Sequence, residues 1–141
     1  MYYIHTSYAG RDDFSYLAPR FPTDLSLSHF IGGKLDATYE GTFEEAFISE
    51  DLLENPSYNN KYNAFLHGSY VESVIVNHRA PNDLKALFVS HSYGRPAAQY
   101  LSLFFAETRY LDPQEGRYND SLTDYIEEYQ PDVVIVIGCA G

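Results

Sequence analysis

The hydrophobic pattern is clearest after Pro81. Lys85-Ala86-Leu87-Phe88-Val89-Ser90 is a short apolar run, the pattern of a strand buried on both faces. Pro96 suits the first turn of a helix, where its missing N–H costs nothing. Ala97, Leu101, Phe104 and Phe105 then recur at i, i+4, i+7 and i+8, a stripe that predicts one core-facing helix. Thr108-Arg109-Tyr110-Leu111 predicts a second strand, closed by Asp112-Pro113. Asn119, Asp120 and Ser121 offer N-caps for a second helix, with Leu122, Tyr125, Ile126 and Tyr129 on one face and Pro131 at its end. Val133-Val134-Ile135-Val136-Ile137 is continuous and mostly β-branched, which predicts a strand buried on both faces. The order β-α-β-α-β, with helix-sized crossovers, implies parallel strands and right-handed connections.

The first eighty residues are less regular. Tyr2 to Tyr8 is a candidate strand, Leu35, Ala37 and Tyr39 alternate as a half-exposed strand does, and Val71 to Asn77 is another candidate. Phe43 to Leu53 suits an acidic helix, and Asp51 to Asn63 reads as loop or short irregular helix, given Asn55-Pro56 and Asn59-Asn60. A boundary near Ala80 therefore separates an irregular β-rich part (1–80) from a βαβαβ part (81–141). Both are small, so 1–141 is read as a single α/β domain whose C-terminal half is a flavodoxin-like parallel sheet.

Composition narrows the functions. Hydrophobic residues make up 45% of the 141 and charged residues 21%, which a folded core requires. Nine Lys and Arg against twenty Asp and Glu leave a charge of −11, a field that repels nucleic acid and anionic membranes. No run approaches the roughly 20 apolar residues of a membrane span, and Met1-Tyr2-Tyr3-Ile4-His5 lacks the basic start and long apolar stretch of a signal peptide, so a soluble chain is expected. The single Cys139 excludes an internal disulfide, and with nothing cationic beside it reads as a small buried residue. Fourteen tyrosines without a tryptophan are read as a half-buried core rim, with a surface for sugar or peptide as the lesser alternative. No G-x-G-x-x-G, no Walker loop and no metal-ligand spacing among His5, His29, His67, His78 and His91 is present, so neither cofactor nor metal is expected.

Ser92 is the foremost chemical candidate. In an open parallel sheet, ligands bind beyond the carboxyl ends of the strands, and Ser92 falls where the strand ending near Ser90 turns into the Pro96 helix. Backbone N–H groups around Tyr93 and Gly94 could hold an oxyanion there, and Gly94 would admit a substrate closely. A serine that merely caps the helix is the alternative.

The run Leu87-Phe88-Val89-Ser90-His91-Ser92-Tyr93-Gly94, followed by Thr108-Arg109-Tyr110-Leu111-Asp112-Pro113, Leu122-Thr123-Asp124-Tyr125-Ile126 and Pro131-Asp132-Val133-Val134-Ile135-Val136, resembles the C-terminal part of SGNH-hydrolase-like proteins. The nearest branch is the DHHW type, related to the alginate O-acetyltransferase-like group. Ala37-Thr38-Tyr39-Glu40-Gly41 and Lys61-Tyr62-Asn63-Ala64-Phe65-Leu66-His67-Gly68 resemble segments that precede the family's serine block, so the likeness runs over residues 36–138. It implies a serine nucleophile at Ser92, removal or transfer of acyl groups on cell-envelope polysaccharide, an acylated carbohydrate partner and an extracytoplasmic location.

Two departures bear on activity. The family writes Asp-Ser-Tyr where this chain has His91-Ser92-Tyr93, and the Asp/His motif that supplies its base has no counterpart here. Asp24 and His29 are five apart, which is not the family spacing. A serine without a base is a poor nucleophile at neutral pH. The chain is then a piece of a longer protein, or a degenerate member, or one of His29, His67, His78 and His91 has taken the base's place; His29 and His91 are the leading candidates. An adjacent His91 on extended backbone would point away from Ser92. The expectation is an incomplete, inert site in the isolated chain, with a non-catalytic binding or structural module as the rival reading.

Overall fold

The computed structural model describes residues 16–54, 61–115 and 118–138. The candidate strand from Tyr2 to Tyr8 and the candidate thiol Cys139 lie outside them. Six strands form one mixed sheet: β1 (Leu25–Ile31), β2 (Lys34–Gly41), β3 (Glu72–Asn77), β4 (Lys85–Ser90), β5 (Glu107–Leu111) and β6 (Val133–Ile137), in the order β2-β1-β3-β5-β4-β6. The three strands of the C-terminal half are parallel, with β4 between β5 and β6. The N-terminal strands are not a separate irregular part. They extend the same sheet in antiparallel fashion, β2 on β1, β1 on β3 and β3 on β5.

Local sequence accounts for these elements. Gly32 and Gly33, with φ of 59° and 77°, make the two-residue hairpin turn between β1 and β2, a conformation that glycine adopts without strain. Leu25, Leu27 and His29 alternate inward along β1, while Ser26 and Ser28 face out. Thr42 caps α1 (Phe43–Phe47), accepting from the Glu45 N–H while Glu45 Oε2 accepts from the Thr42 N–H at 2.8 Å. The acidic helix expected over Phe43 to Leu53 is two short ones, α1 and α2 (Glu50–Glu54), because Ile48 turns extended and bridges to Phe65.

Two apolar layers enclose the sheet. On one face Leu25, Leu27, Ile75, Phe88 and Tyr110 pack against Phe43 and Phe47 of α1 and Ala98 of α3 (Arg95–Leu101). On the other, Leu87, Val89 and Leu111 pack beneath Tyr129, with Leu122, Tyr125 and Ile126 of α4 (Leu122–Tyr129) around them. Strand β4 is buried on both faces from Ala86 to Ser90, as its apolar run predicts. Each fully buried side chain of this kind is worth about 2 kcal/mol.

Two expectations fail. The helix after Ser92 stops at Leu101 and tightens into a 3-10 turn over Ser102–Phe104, so Phe104 leaves the core stripe and is 62% exposed. Strand β6 is the sheet edge rather than an interior strand. Its Val134 and Val136, register partners of Leu87 and Val89, lie beyond the cover of α4 and are 43% and 68% exposed.

Candidate functional site

Ser92 opens a 3-10 turn, Ser92–Gly94, at the carboxyl edge of β4, between that strand and α3. It is half-buried, and Tyr93 beside it is exposed. Because β6 runs parallel to β4 with Ile137 opposite Ser90, Gly138 follows at the same edge. Asp112 follows β5 there too, buried, its Oδ1 accepting from the Gln114 N–H at 2.9 Å. Gly94 is buried under β4: an added Cβ would overlap Ser90 Oγ and Cβ, so the absent side chain is a packing requirement here.

The carbonyls of this turn are held from within. The buried Tyr110 hydroxyl, on the neighbouring β5, shares its one proton between His91 O at 2.7 Å and Ser90 O at 2.9 Å. Burial raises the Tyr110 pKa, with the Asp112 charge adding to it, so the hydroxyl stays a donor. The Gly94 N–H also donates to His91 O, at 2.8 Å, so this candidate oxyanion donor is engaged inside the turn. Arg95 is buried; its Nε donates to Ser92 O at 3.2 Å and its Nη2 to Asn63 Oδ1 at 3.0 Å, while the guanidinium lies over the Tyr62 ring at 5.1 Å. Tyr62 and Asn63 belong to the 3-10 turn Lys61–Ala64, which thus braces the serine turn, and burial pushes the Tyr62 hydroxyl up to about 12. Among the described residues no acceptor takes the Ser92 or Tyr93 N–H, and no hydrogen bond reaches Ser92 Oγ.

Arg95 and Tyr110 were not singled out in the sequence. Arg95 does carry a signal: a cation in the first turn of a helix opposes the helix dipole and needs a local reason. Tyr110 carries none beyond its place in a strand.

The histidines are dispersed. His29 is fully buried in β1, where its Nε2–H donates to Leu66 O at 2.7 Å and its Nδ1 accepts from the Ser73 hydroxyl at 2.7 Å. Burial lowers its pKa to about 4, and it stacks on Tyr70 at 3.8 Å. In register it lies opposite Ser73, then Tyr110, then Phe88, which is three strand spacings, or about 14 Å, from β4. Asp24 stands at the other end of β1, so the two do not form a pair. His78 follows β3 at the opposite edge of the sheet and shares a hydrogen bond with Ser26 Oγ at 2.8 Å. His67 stacks on Tyr39 of β2, the far edge strand, at 3.6 Å, and burial lowers its pKa. It lines a cleft of about 390 Å³ with Glu44, Glu45, Glu50 and Asp51. His91 caps the serine turn, half-buried on extended backbone, and its Nδ1 is buried without a hydrogen bond among the described residues. The structure therefore brings His91 to Ser92 by sequence adjacency, and does not bring His29, His67 or His78.

A second polar cluster lies under α4. The Glu72 carboxylate accepts from Tyr118 at 3.2 Å and Tyr125 at 2.6 Å, and Arg109 lies over Tyr129 at 4.0 Å while its Nε donates to Glu107 at 3.0 Å. Glu72, Arg109, Tyr118, Tyr125 and Tyr129 border a cleft of about 220 Å³ to which Ser92 does not contribute.

No family model matches the chain, and no curated protein does. Solved structures do. Two structures of PatB1 from Bacillus cereus, one with a sulfonyl adduct, superpose with TM-scores of 0.60 at 19% and 21% identity, over 86% of this chain. A DHHW family protein from Eubacterium siraeum follows, with a TM-score of 0.57 at 19% identity over 81% of this chain. The chain has the fold of these proteins. At 19–21% identity the likeness is one of fold. The chain spans 38% and 37% of the two PatB1 chains and 35% of the Eubacterium siraeum protein. Among the described residues no helix is long and apolar enough to cross a membrane.

Proposed function

We propose that Ser92 is the nucleophile of an SGNH-type acyl-transfer or ester-hydrolysis site, and that residues 1–141 carry this serine and its oxyanion donors without its base. The observation that supports this best is the position of Ser92: a tight turn beyond the carboxyl end of the central parallel strand, whose Ser92 and Tyr93 N–H groups have no acceptor among the described residues. In the step this arrangement suits, Ser92 Oγ attacks the acyl carbonyl, its proton passes to a base, and the alcohol leaves to give acyl-Ser92. Water or a second alcohol then takes the acyl group. The substrate class is an acylated carbohydrate of the cell envelope, reached outside the cytoplasm, as the family likeness implies.

The missing component can be supplied chemically. A sulfonyl fluoride reacts when the serine oxygen displaces fluoride at sulfur and gives its proton to a base. With phenylmethanesulfonyl fluoride alone, the chain is expected to react at background rate. With imidazole in the buffer as the base, a sulfonyl group is expected on the peptide containing Ser92, and none there in Ser92→Ala. No adduct on Ser92 at any imidazole concentration would overturn the proposal in favour of a non-catalytic binding module.

A further inference from the structure

We infer that Tyr110 is a positioning residue for the Ser92 site, one that aims the two oxyanion donors through the carbonyls behind them. The inference rests on the Ser92 reading and adds a residue to it.

A trans peptide is planar, with its carbonyl oxygen and its N–H pointing in opposite directions across the C–N bond. No described peptide is cis. The carbonyl of His91 is drawn inward by the Tyr110 hydroxyl at 2.7 Å and the Gly94 N–H at 2.8 Å, so the N–H of the same peptide, that of Ser92, points away from β5 and out of the core. The carbonyl of Ser92 is drawn to Arg95 Nε at 3.2 Å, so the Tyr93 N–H points away from Arg95. These are the two N–H groups of the turn with no acceptor among the described residues.

Of the two side chains, Tyr110 sets the direction more rigidly. Its ring is clamped between strands, 2% exposed and stacked against Phe88 at 5.9 Å, and its hydroxyl spans two successive carbonyls, Ser90 and His91. Losing the hydroxyl removes the one donor to His91 O that comes from a neighbouring strand; the Gly94 N–H and the Ser90 hydroxyl, at 3.1 Å, belong to the turn and to the strand leading into it, so the His91–Ser92 peptide is held less firmly. Oxyanion donors act by being held before charge develops, so a freed peptide loses rate without losing the fold.

The test compares Tyr110→Phe with Tyr129→Phe. Tyr129 is also buried and its hydroxyl also meets strand carbonyls, Ala86 O at 3.3 Å and Glu107 O at 3.5 Å, but at the opposite edge of the sheet. Both variants lose one buried hydroxyl, so both are expected to melt somewhat lower. With imidazole and phenylmethanesulfonyl fluoride, Tyr110→Phe is expected to be labelled at Ser92 at least tenfold more slowly than the parent, and Tyr129→Phe at the parent's rate. In NMR spectra the Ser92 and Tyr93 amide signals should shift in Tyr110→Phe alone. Equal labelling rates in the two variants would overturn the inference. If the parent itself is never labelled, the nucleophile reading fails, and the amide signals decide separately: unmoved Ser92 and Tyr93 amides in Tyr110→Phe overturn the positioning role as well.

Discussion

His29 donates its Nε2–H to the carbonyl of Leu66 at 2.7 Å, and Leu66 is one of three non-glycine residues with positive φ among those described. The next residue, His67, is another, so the chain enters β3 through two successive left-handed positions that ordinary side chains disfavour by about 1–2 kcal/mol each. The buried imidazole ties this turn to β1 and, through Ser73, to β3. It holds a bend that has no local reason to form.

The burial of His29, opposed in part by its bond to Leu66, makes stability depend on pH. The folded-state pKa of His29 is lowered to about 4 by burial, against 6.5 in an unfolded chain. Below 6.5 the unfolded chain binds a proton that the folded one refuses. The contribution is therefore fully present above pH 6.5 and fades as pH falls toward 4, by up to about 3 kcal/mol. His67, lowered in the same direction, adds to the slope. Urea unfolding midpoints should fall between pH 7 and pH 4.5 in the parent, and less steeply in His29→Gln. Parallel slopes in the two proteins would contradict this.

Gly94→Ala should destabilise by about 1–3 kcal/mol, because the new methyl meets Ser90 with no room to move. Gly138→Ala, at the same sheet edge but with open space around it, should stay within about 0.5 kcal/mol of the parent. Equal denaturation midpoints for the two variants would show that the turn is not packed as described.

Tyr125→Phe removes the 2.6 Å hydrogen bond to the buried Glu72 carboxylate and should cost about 1–3 kcal/mol. Tyr118→Phe, which gives up a 3.2 Å bond to the other oxygen, should cost less. Thermal denaturation of both, alone and with Glu72→Gln, checks the order. The Tyr125 penalty should shrink once the carboxylate is neutral.

What could be read from the sequence follows burial. Strand β4 has neighbours on both sides and cover on both faces, so its whole apolar run is used, and periodicity alone locates it. Strand β6, all Val and Ile, is even more apolar but is an edge strand; composition records what a strand can bury and not which neighbours it obtains. β1 does carry a signal in the sequence: Leu25, Leu27 and His29 alternate with serines and end at Gly32-Gly33, a strand-and-hairpin pattern. At the site, the place between strand and helix marks Ser92 and Tyr93, whereas Tyr110 reaches His91 from nineteen positions away and Asn63 reaches Arg95 from thirty-two, and only the fold makes them neighbours.

The edge position of β6 makes a further prediction. Val136→Lys should change stability by no more than about 0.5 kcal/mol, while Val89→Lys, its register partner beneath α4, should prevent folding. Light scattering at high concentration should also show less self-association in Val136→Lys, since charge on an exposed strand edge blocks edge-to-edge pairing. Unchanged scattering would mean that this edge does not direct association.

The order β3-β5-β4 has a kinetic consequence. β3 skips over β4 to pair with β5, which comes later in the chain, so β4 remains without its β5 partner until the residues after it have folded back. The hairpin of β1 and β2 closes over a two-residue turn and can form early, whereas the Ser92 turn requires contacts with Asn63, Tyr110 and Arg95 that span the late-joining elements. The Gly94 amide, the one of the turn bonded to His91 O, should gain protection against hydrogen exchange among the last during refolding, and should lose it only when the whole sheet opens.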